Sequence, residues 1–166
     1  MIVAPLPITE LERLQALHEL MLLDTGPEER FDRLTHFARQ EFGVPIALLS
    51  LVDRERQWFK SHPGLGLCET SRDVSMCSHV VHAEAPVIVV DARKDVRFHD
   101  NPLVVGPPHI RFYAGLPLTL PNGHTVGTLC VIDTQPRQFD GLDLAILAAL
   151  RDMAVAEILV QEVAAC

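Results

Sequence analysis

RFYAGLPL at 111–118, GTLCVID at 127–133 and, further back, WFKS at 58–61 decide the fold. Apolar alternation, turn residues and interior polar groups recur through these runs as they do in one curved sheet. The first two read as strands over 111–120 and 124–132, joined through Pro121-Asn122-Gly123. Asn-Gly supplies the positive φ values that a tight hairpin turn demands. Gly115 and Gly127 fall inside these strands, where glycine marks a bulge or a close approach of other atoms.

Working towards the N terminus, residues 87–90 (VIVV at 87–90) make a short strand, and 46–52 is an apolar run too short for an ordinary helix. It reads as a central strand, with 57–61 returning beside it as a hairpin and 63–72 as a loop. A helix over 10–23 follows the N-cap Thr9, with Leu11, Leu14, Leu17, Leu20 and Met21 as its apolar side. A second covers 28–42, with Phe31, Leu34, Phe37, Ala38 and Phe42 inward and Gly43 ending it. Residues 74–84 hold a short helix. Residues 91–108 are irregular with one or two helical turns, and so long a loop marks a place where binding function sits. A last helix over 140–163 carries a broad apolar stripe including Leu144, Leu147, Ala148, Met153, Ile158 and Leu159. One side of it covers the sheet. The other, with the first helix, suits a second subunit.

The 166 residues suffice for one hydrophobic core without staples, so the chain reads as a single domain over 1–166. A formal charge of -8, from 14 Lys and Arg against 22 Asp and Glu, disfavours a nucleic-acid partner. No apolar segment is long enough to span a bilayer, and the apolar start, interrupted by Pro5 and Pro7, lacks a basic leader. The expected setting is the reducing cytoplasm, with Cys68, Cys77, Cys130 and Cys166 as thiols.

Several ordered motifs together resemble the GAF domain family, in the branch often fused ahead of diguanylate cyclases and sensor histidine kinases. They are the helical opening at 17–35, PIALLSLVDRERQWFKS at 45–61, SMCSHVV at 75–81, DARKDVRFHDNPLVVGPPHIRFYAGLPL at 91–118 and GTLCVIDTQPRQF at 127–139. The resemblance covers nearly the full length. It implies an α+β fold with a central antiparallel sheet of five or six strands. The N- and C-terminal helices lie on one face, and a ligand pocket lies on the other beneath loops and short helices. It also implies a bacterial signalling protein that senses a small molecule and passes the signal through its terminal helices. With no output domain after Cys166, the expected route runs through a partner protein or a homodimer. Met76 and Ser71 stand where the branch commonly has an aromatic and a proline. Neither the cyclic-nucleotide motif, nor the bilin-anchoring cysteine setting, nor the cysteine triad of the free methionine sulfoxide reductases is present.

The ligand-binding candidates are Trp58, Cys77, His79, Asp91, Asp95, Arg97, Phe98, Arg111 and Tyr113. Trp58 and Phe59 point to opposite faces of a strand, as do Phe112 and Tyr113, and alternation alone leaves open which member meets the pocket. Tyr113 offers a hydroxyl a pocket would use. Asp91, Asp95, Arg97, Asp100 and Asn101 read either as turn caps or as a polar ring in which Arg97 or Arg111 meets an anionic group. Cys77 with His79 or His82 suggests a nucleophile and base, but residues two apart on a helix do not face each other. Cys68, Cys77, His79 and His82 lack the Cys-x-x-Cys knuckle of a zinc site. Cys130 reads as core. The preferred reading is a non-catalytic sensor of an unidentified small molecule, with no catalytic residue, metal or cofactor assigned. The rivals are a dimeric interaction module with a vestigial pocket, and a Cys77-dependent redox or thiol enzyme.

Overall fold

The computed structural model describes residues 1–160. The end of the expected last helix, 161–163, and Cys166 lie outside the described residues. In chain order the helices are α1 (Glu10–Glu19), α2 (Glu29–Phe42), α3 (Cys77–Ala83), α4 (Pro102–Val105) and α5 (Gly141–Leu159). The strands are β1 (Ile46–Val52), β2 (Arg56–Ser61), β3 (Glu69–Ser71), β4 (Val87–Val89), β5 (Phe112–Thr119) and β6 (Thr125–Asp133). The strands form one six-stranded sheet in the order β3-β2-β1-β6-β5-β4, antiparallel at every pairing.

All seven residues of β1 are buried, because this strand lies inside the sheet with both faces covered. Two cores result. On one face α1, α2 and α5 bury Leu17, Phe31, Leu34, Leu147, Leu150 and Ile158 against Leu49, Leu51, Leu116 and Leu129. On the other, α3 and the irregular segments bury Met76, Val80, Phe98, Val104 and Ile110 against Leu48, Phe59, Tyr113 and Ile132. Strand alternation thus resolves the aromatic pairs. Trp58 and Phe112 belong to the helix side, and Phe59 and Tyr113 to the opposite side.

The helices differ from the sequence reading where turns intervene. Met21 takes a φ of 54°, which stops α1 at Glu19, short of 23, and leaves Met21 and Leu11 exposed. Phe37 also faces solvent, one position off the buried line of Phe31, Leu34, Ala38 and Phe42. In α5 the buried line runs Leu147, Leu150, Ala154 and Ile158, the spacing of one helical face, while Leu142, Met153 and Leu159 point outward. Asp140 and Asp143 close a reciprocal capping box at its start. The edge strand β3 falls in the expected loop. Its three polar residues carry no apolar period, and only its pairing with β2 defines it.

A bulge shapes β2. Leu49 pairs with Ser61 and Ser50 with Phe59, so Lys60 is an extra residue that breaks the alternation. Lys60 and Ser61 therefore both turn towards α2. Lys60 Nζ meets Glu28 at 2.7 Å and donates to Thr25 Oγ1 at 2.7 Å, and Ser61 Oγ donates to Asp32 at 2.6 Å.

Arg13, 2% exposed, fixes α1 to the sheet. Its Nη1 donates to the Val52 carbonyl at 2.8 Å, and its Nε donates to Glu10 at 2.8 Å. Arg72 donates to the same Glu10 and to the Asp53 carbonyl. Burial raises the Glu10 pKa, but the bonds and charges of Arg13 and Arg72 outweigh it and bring the carboxyl to about 2. A folded pKa below the unfolded one stabilises the protein above pH ~4.5 and loses that contribution as pH falls towards ~2. The expected contribution at neutral pH is about 2–3 kcal/mol. Urea titrations from pH 7 to 3 check this: Glu10→Gln should lower neutral-pH stability and flatten the acid decline relative to the unmodified chain.

Candidate functional site

The face opposite α1, α2 and α5 holds a cavity between the sheet and its roof. Ile46, Leu48, Gln57, Phe59, Tyr113 and Ile132 form the floor; Met76 and Cys77 stand at the start of α3; Leu65, Leu67, Leu103, Pro108 and Ile110 close it from the loops. The lining is almost wholly apolar. About 30 Å³ is free, room for a single water, against the ~300–1,000 Å³ of ordinary ligand pockets. The loops and side chains therefore fill most of the space beneath α3.

A polar group of residues sits in this otherwise apolar core. Cys77 Sγ accepts from the Tyr113 hydroxyl at 3.1 Å and from Thr128 Oγ1 at 3.0 Å, and lies 3.9 Å from Cys130 Sγ. Beside it, Ser50 and Ser75 both donate to Gln57 Oε1, at 2.9 and 2.8 Å, and Gln57 Nε2 donates to Thr70 at 3.2 Å. Alternation along β6 brings Thr128, Cys130 and Ile132 to this face together. Gly115 makes room for Tyr113: a Cβ there would run into the Tyr113 ring and hydroxyl. At Gly127, a Cβ would strike the Ser50 carbonyl on β1.

Burial pushes the Cys77 thiol up, but the donors Cys130, Thr128 and Tyr113 reverse this and hold it below its ordinary value. Burial and the Cys77 neighbour push Cys130 and Tyr113 upward. Of the two touching thiols, Cys77 is the one that ionises first.

Of the residues picked out in the sequence, the cavity gathers Cys77 and Tyr113. Phe98 is buried in the same core, with the His79 ring edge-on at 4.8 Å. His79 Nε2 lies 3.1 Å from the Ile2 carbonyl; desolvation lowers its pKa, so the neutral ring donates there rather than facing Cys77. Trp58 lies in the helix-side core, because alternation sends its neighbour Phe59 to the cavity. Asp91 caps the turn at Ala92–Lys94 and pairs with Arg93 at 2.8 Å. Asp95 holds Arg97 in a two-bond fork at 3.0 and 2.8 Å, and Arg97 stacks 4.8 Å over Phe98. Arg111 donates to the carbonyls of Val104 and Ile110. These charges tie the 91–111 segment to itself.

Cys68 and His82 are exposed, and among the described residues no group of three or more His, Cys, Asp or Glu stands close enough to hold a metal. Ser50, Gln57, Ser75, Thr128 and Cys130 were not singled out as site residues in the sequence. For Ser50 and Thr128 the signal is a hydroxyl interrupting the strands IALLSLV and TVGTLCVID. Gln57 and Ser75 have no such contrast with their neighbours.

Residues 26–158 match the family model described as GAF domain. A cyclic di-GMP phosphodiesterase of Pseudomonas aeruginosa is 43% identical over 133 residues, covering 80% of this chain and 23% of that protein. The chain thus spans about a quarter of that relative's length. The GAF domain of an Acinetobacter phosphoenolpyruvate-protein phosphotransferase superposes with a TM-score of 0.65 at 19% identity, over 89% of this chain and 91% of that one. A type II free methionine-R-sulfoxide reductase from Thermoplasma acidophilum gives 0.66 at 12% identity, over 86% and 94%. At these identities the shared property is the fold.

The Tyr113–Cys77 contact depends on residue 115 lacking a side chain. Gly115→Ala should displace the Tyr113 hydroxyl, raise the Cys77 pKa and cost about 1–3 kcal/mol of stability through overpacking. The pH dependence of thiol alkylation, read site by site by mass spectrometry, and a denaturant melt check both effects.

Proposed function

The chain belongs to the GAF domain family, a type of small-molecule-sensing and regulatory module, and from that premise we propose that it is a non-catalytic regulatory domain. Its input is a small, mainly apolar ligand admitted beneath α3 and the 102–110 segment. The observation that carries this reading is the apolar cavity floored by a hydrogen-bonded polar group and roofed by irregular chain. Apolar walls with few convergent polar groups are the usual makeup of a ligand site. At about 30 Å³ the cavity admits a ligand only if Leu65, Leu67, Leu103 and Ile110 move outward. The roof that must open is loop and one helical turn, outside the paired strands of the sheet.

The non-catalytic reading rests on the surroundings of Cys77. Its partners are hydroxyls and a thiol, while His79 is turned to Ile2 and His82 to solvent. Hydroxyl donors favour the Cys77 thiolate, but neither histidine is placed to shuttle the protons that turnover requires. Output is carried by the terminal helices. β6 runs through residues 134–140 into α5, and Leu11, Met21, Leu142 and Met153 are exposed on or beside α1 and α5. A second copy of the chain is the partner we assign to these positions. Likeness to part of a cyclic di-GMP phosphodiesterase supports an output in cyclic di-GMP turnover, through an attached or separate protein. We assign the cytoplasm as the setting; among the described residues no helix is long and apolar enough to cross a membrane.

Native mass spectrometry of the freshly purified protein, followed by a thermal-shift screen of small metabolites, tests the ligand reading. A ligand at a hundred times its Kd should raise the melting temperature by roughly 5–10 °C. Ile110→Trp, which overfills the cavity, should abolish that rise while costing the unliganded fold about 1–3 kcal/mol. No retained mass and no shift across the screen would leave the interaction-module reading in its place. Sedimentation at tens of micromolar checks the second copy: a dimer is expected, and Met153→Glu should return it to a monomer.

A further inference from the structure

Two thiols in contact, one of them lining the small cavity, have a use that needs no bound ligand. We infer that Cys77 and Cys130 form a peroxide-sensitive dithiol, in which Cys77 takes the oxidant and Cys130 closes a disulfide between α3 and β6. The two sulfur atoms are 3.9 Å apart and 53 residues apart in sequence. A disulfide needs them at about 2 Å, a change within reach of small side-chain rotations from van der Waals contact. Cys77 begins α3 and Cys130 lies within β6, so the bond would tie the cavity roof to the strand that leads into α5.

The surroundings give the two sulfurs different roles. Cys77 lines the cavity, whereas Cys130 is not among its lining residues and is fully buried. The Tyr113 and Thr128 hydroxyls both donate to Cys77 Sγ, the arrangement that favours its thiolate. The lowered Cys77 pKa and raised Cys130 pKa agree with that division. The free space of about 30 Å³ admits a molecule near the size of water and excludes larger oxidants. Hydrogen peroxide is of that class; a disulfide reagent or an aromatic oxidant is not.

The chemistry balances with hydrogen peroxide as the named oxidant. The Cys77 thiolate attacks one peroxide oxygen; the S–O bond forms as the O–O bond breaks. The departing hydroxide takes up the proton that the thiol released, giving water and a sulfenic acid on Cys77. Cys130 sulfur then attacks Cys77 sulfur. The S–S bond forms, the S–O bond breaks, and the leaving hydroxide takes the Cys130 proton as a second water. Two thiols lose two electrons, and one peroxide is reduced to two waters.

The test uses the full chain with Cys68→Ser and Cys166→Ser, leaving Cys77 and Cys130 untouched. Hydrogen peroxide should remove two hydrogens from the intact mass, and digestion should yield a linked peptide joining the SMCSHVV and GTLCVID segments. Adding Cys130→Ser should stall Cys77 as a sulfenic acid that dimedone captures. Adding Cys77→Ser should leave Cys130 a thiol under the same treatment. A bulky aromatic disulfide reagent should modify Cys68 of the unmodified chain and spare the buried pair. If peroxide oxidises Cys68 in the unmodified chain while Cys77 and Cys130 remain thiols, or if they react only in urea, the dithiol assignment is overturned. No ligand enters these measurements, so the ligand reading stands or falls separately.

Discussion

The side-by-side pairing of β1 with β6 is the constraint from which the rest of the molecule follows. These two strands lie at the middle of the sheet and are buried on both faces, so each face needs its own cover. Three helices supply one cover with regular apolar stripes. Short helices and irregular chain supply the other. Irregular cover fills volume less uniformly, and the apolar cavity lined by Cys77 and Tyr113 occurs on that side.

The charged segment at 91–111 shows how tertiary contacts redistribute roles. Its aspartates and arginines are mostly consumed in holding its own backbone: Asp91 with Arg93, Asp95 with Arg97, and Arg111 with two carbonyls. Pairs this exposed contribute little each, but as turn caps they satisfy backbone groups that a helix or sheet would otherwise bond. The chemistry of the cavity falls instead to small uncharged groups inside the sheet. Hydroxyls and thiols of Ser50, Thr128, Tyr113, Cys77 and Cys130 tolerate burial because each can find a partner nearby.

Strand alternation also accounts for what sequence reasoning reached and missed. The central run at 46–52 was legible because a short apolar stretch has few other places to go. The hairpin of β5 and β6 was legible because Asn122-Gly123 fixes where the chain reverses, and Gly123 does take a φ of 87°. The extra residue Lys60 was not, because a bulge is set by pairing between strands and leaves no mark on one strand alone. Arg13 lies outside the apolar line of the first helix, yet it is buried, since Glu10, Val52 and Thr125 together accept its hydrogen bonds. No local pattern announces partners that distant.

The sequence by itself carried two things: ordered motifs whose resemblance implied the family and its antiparallel sheet, and apolar runs, turn residues and caps that marked the individual strands and helices. The latter depend on short-range periodicity and on backbone preferences that each residue carries with it. Only the tertiary structure decided which of Trp58 and Phe59 faces the cavity, that His79 turns away from Cys77, and that Cys77 meets Cys130. Each of those outcomes depends on the register between strands and on where α3 lands across the sheet, quantities set by the whole packed molecule.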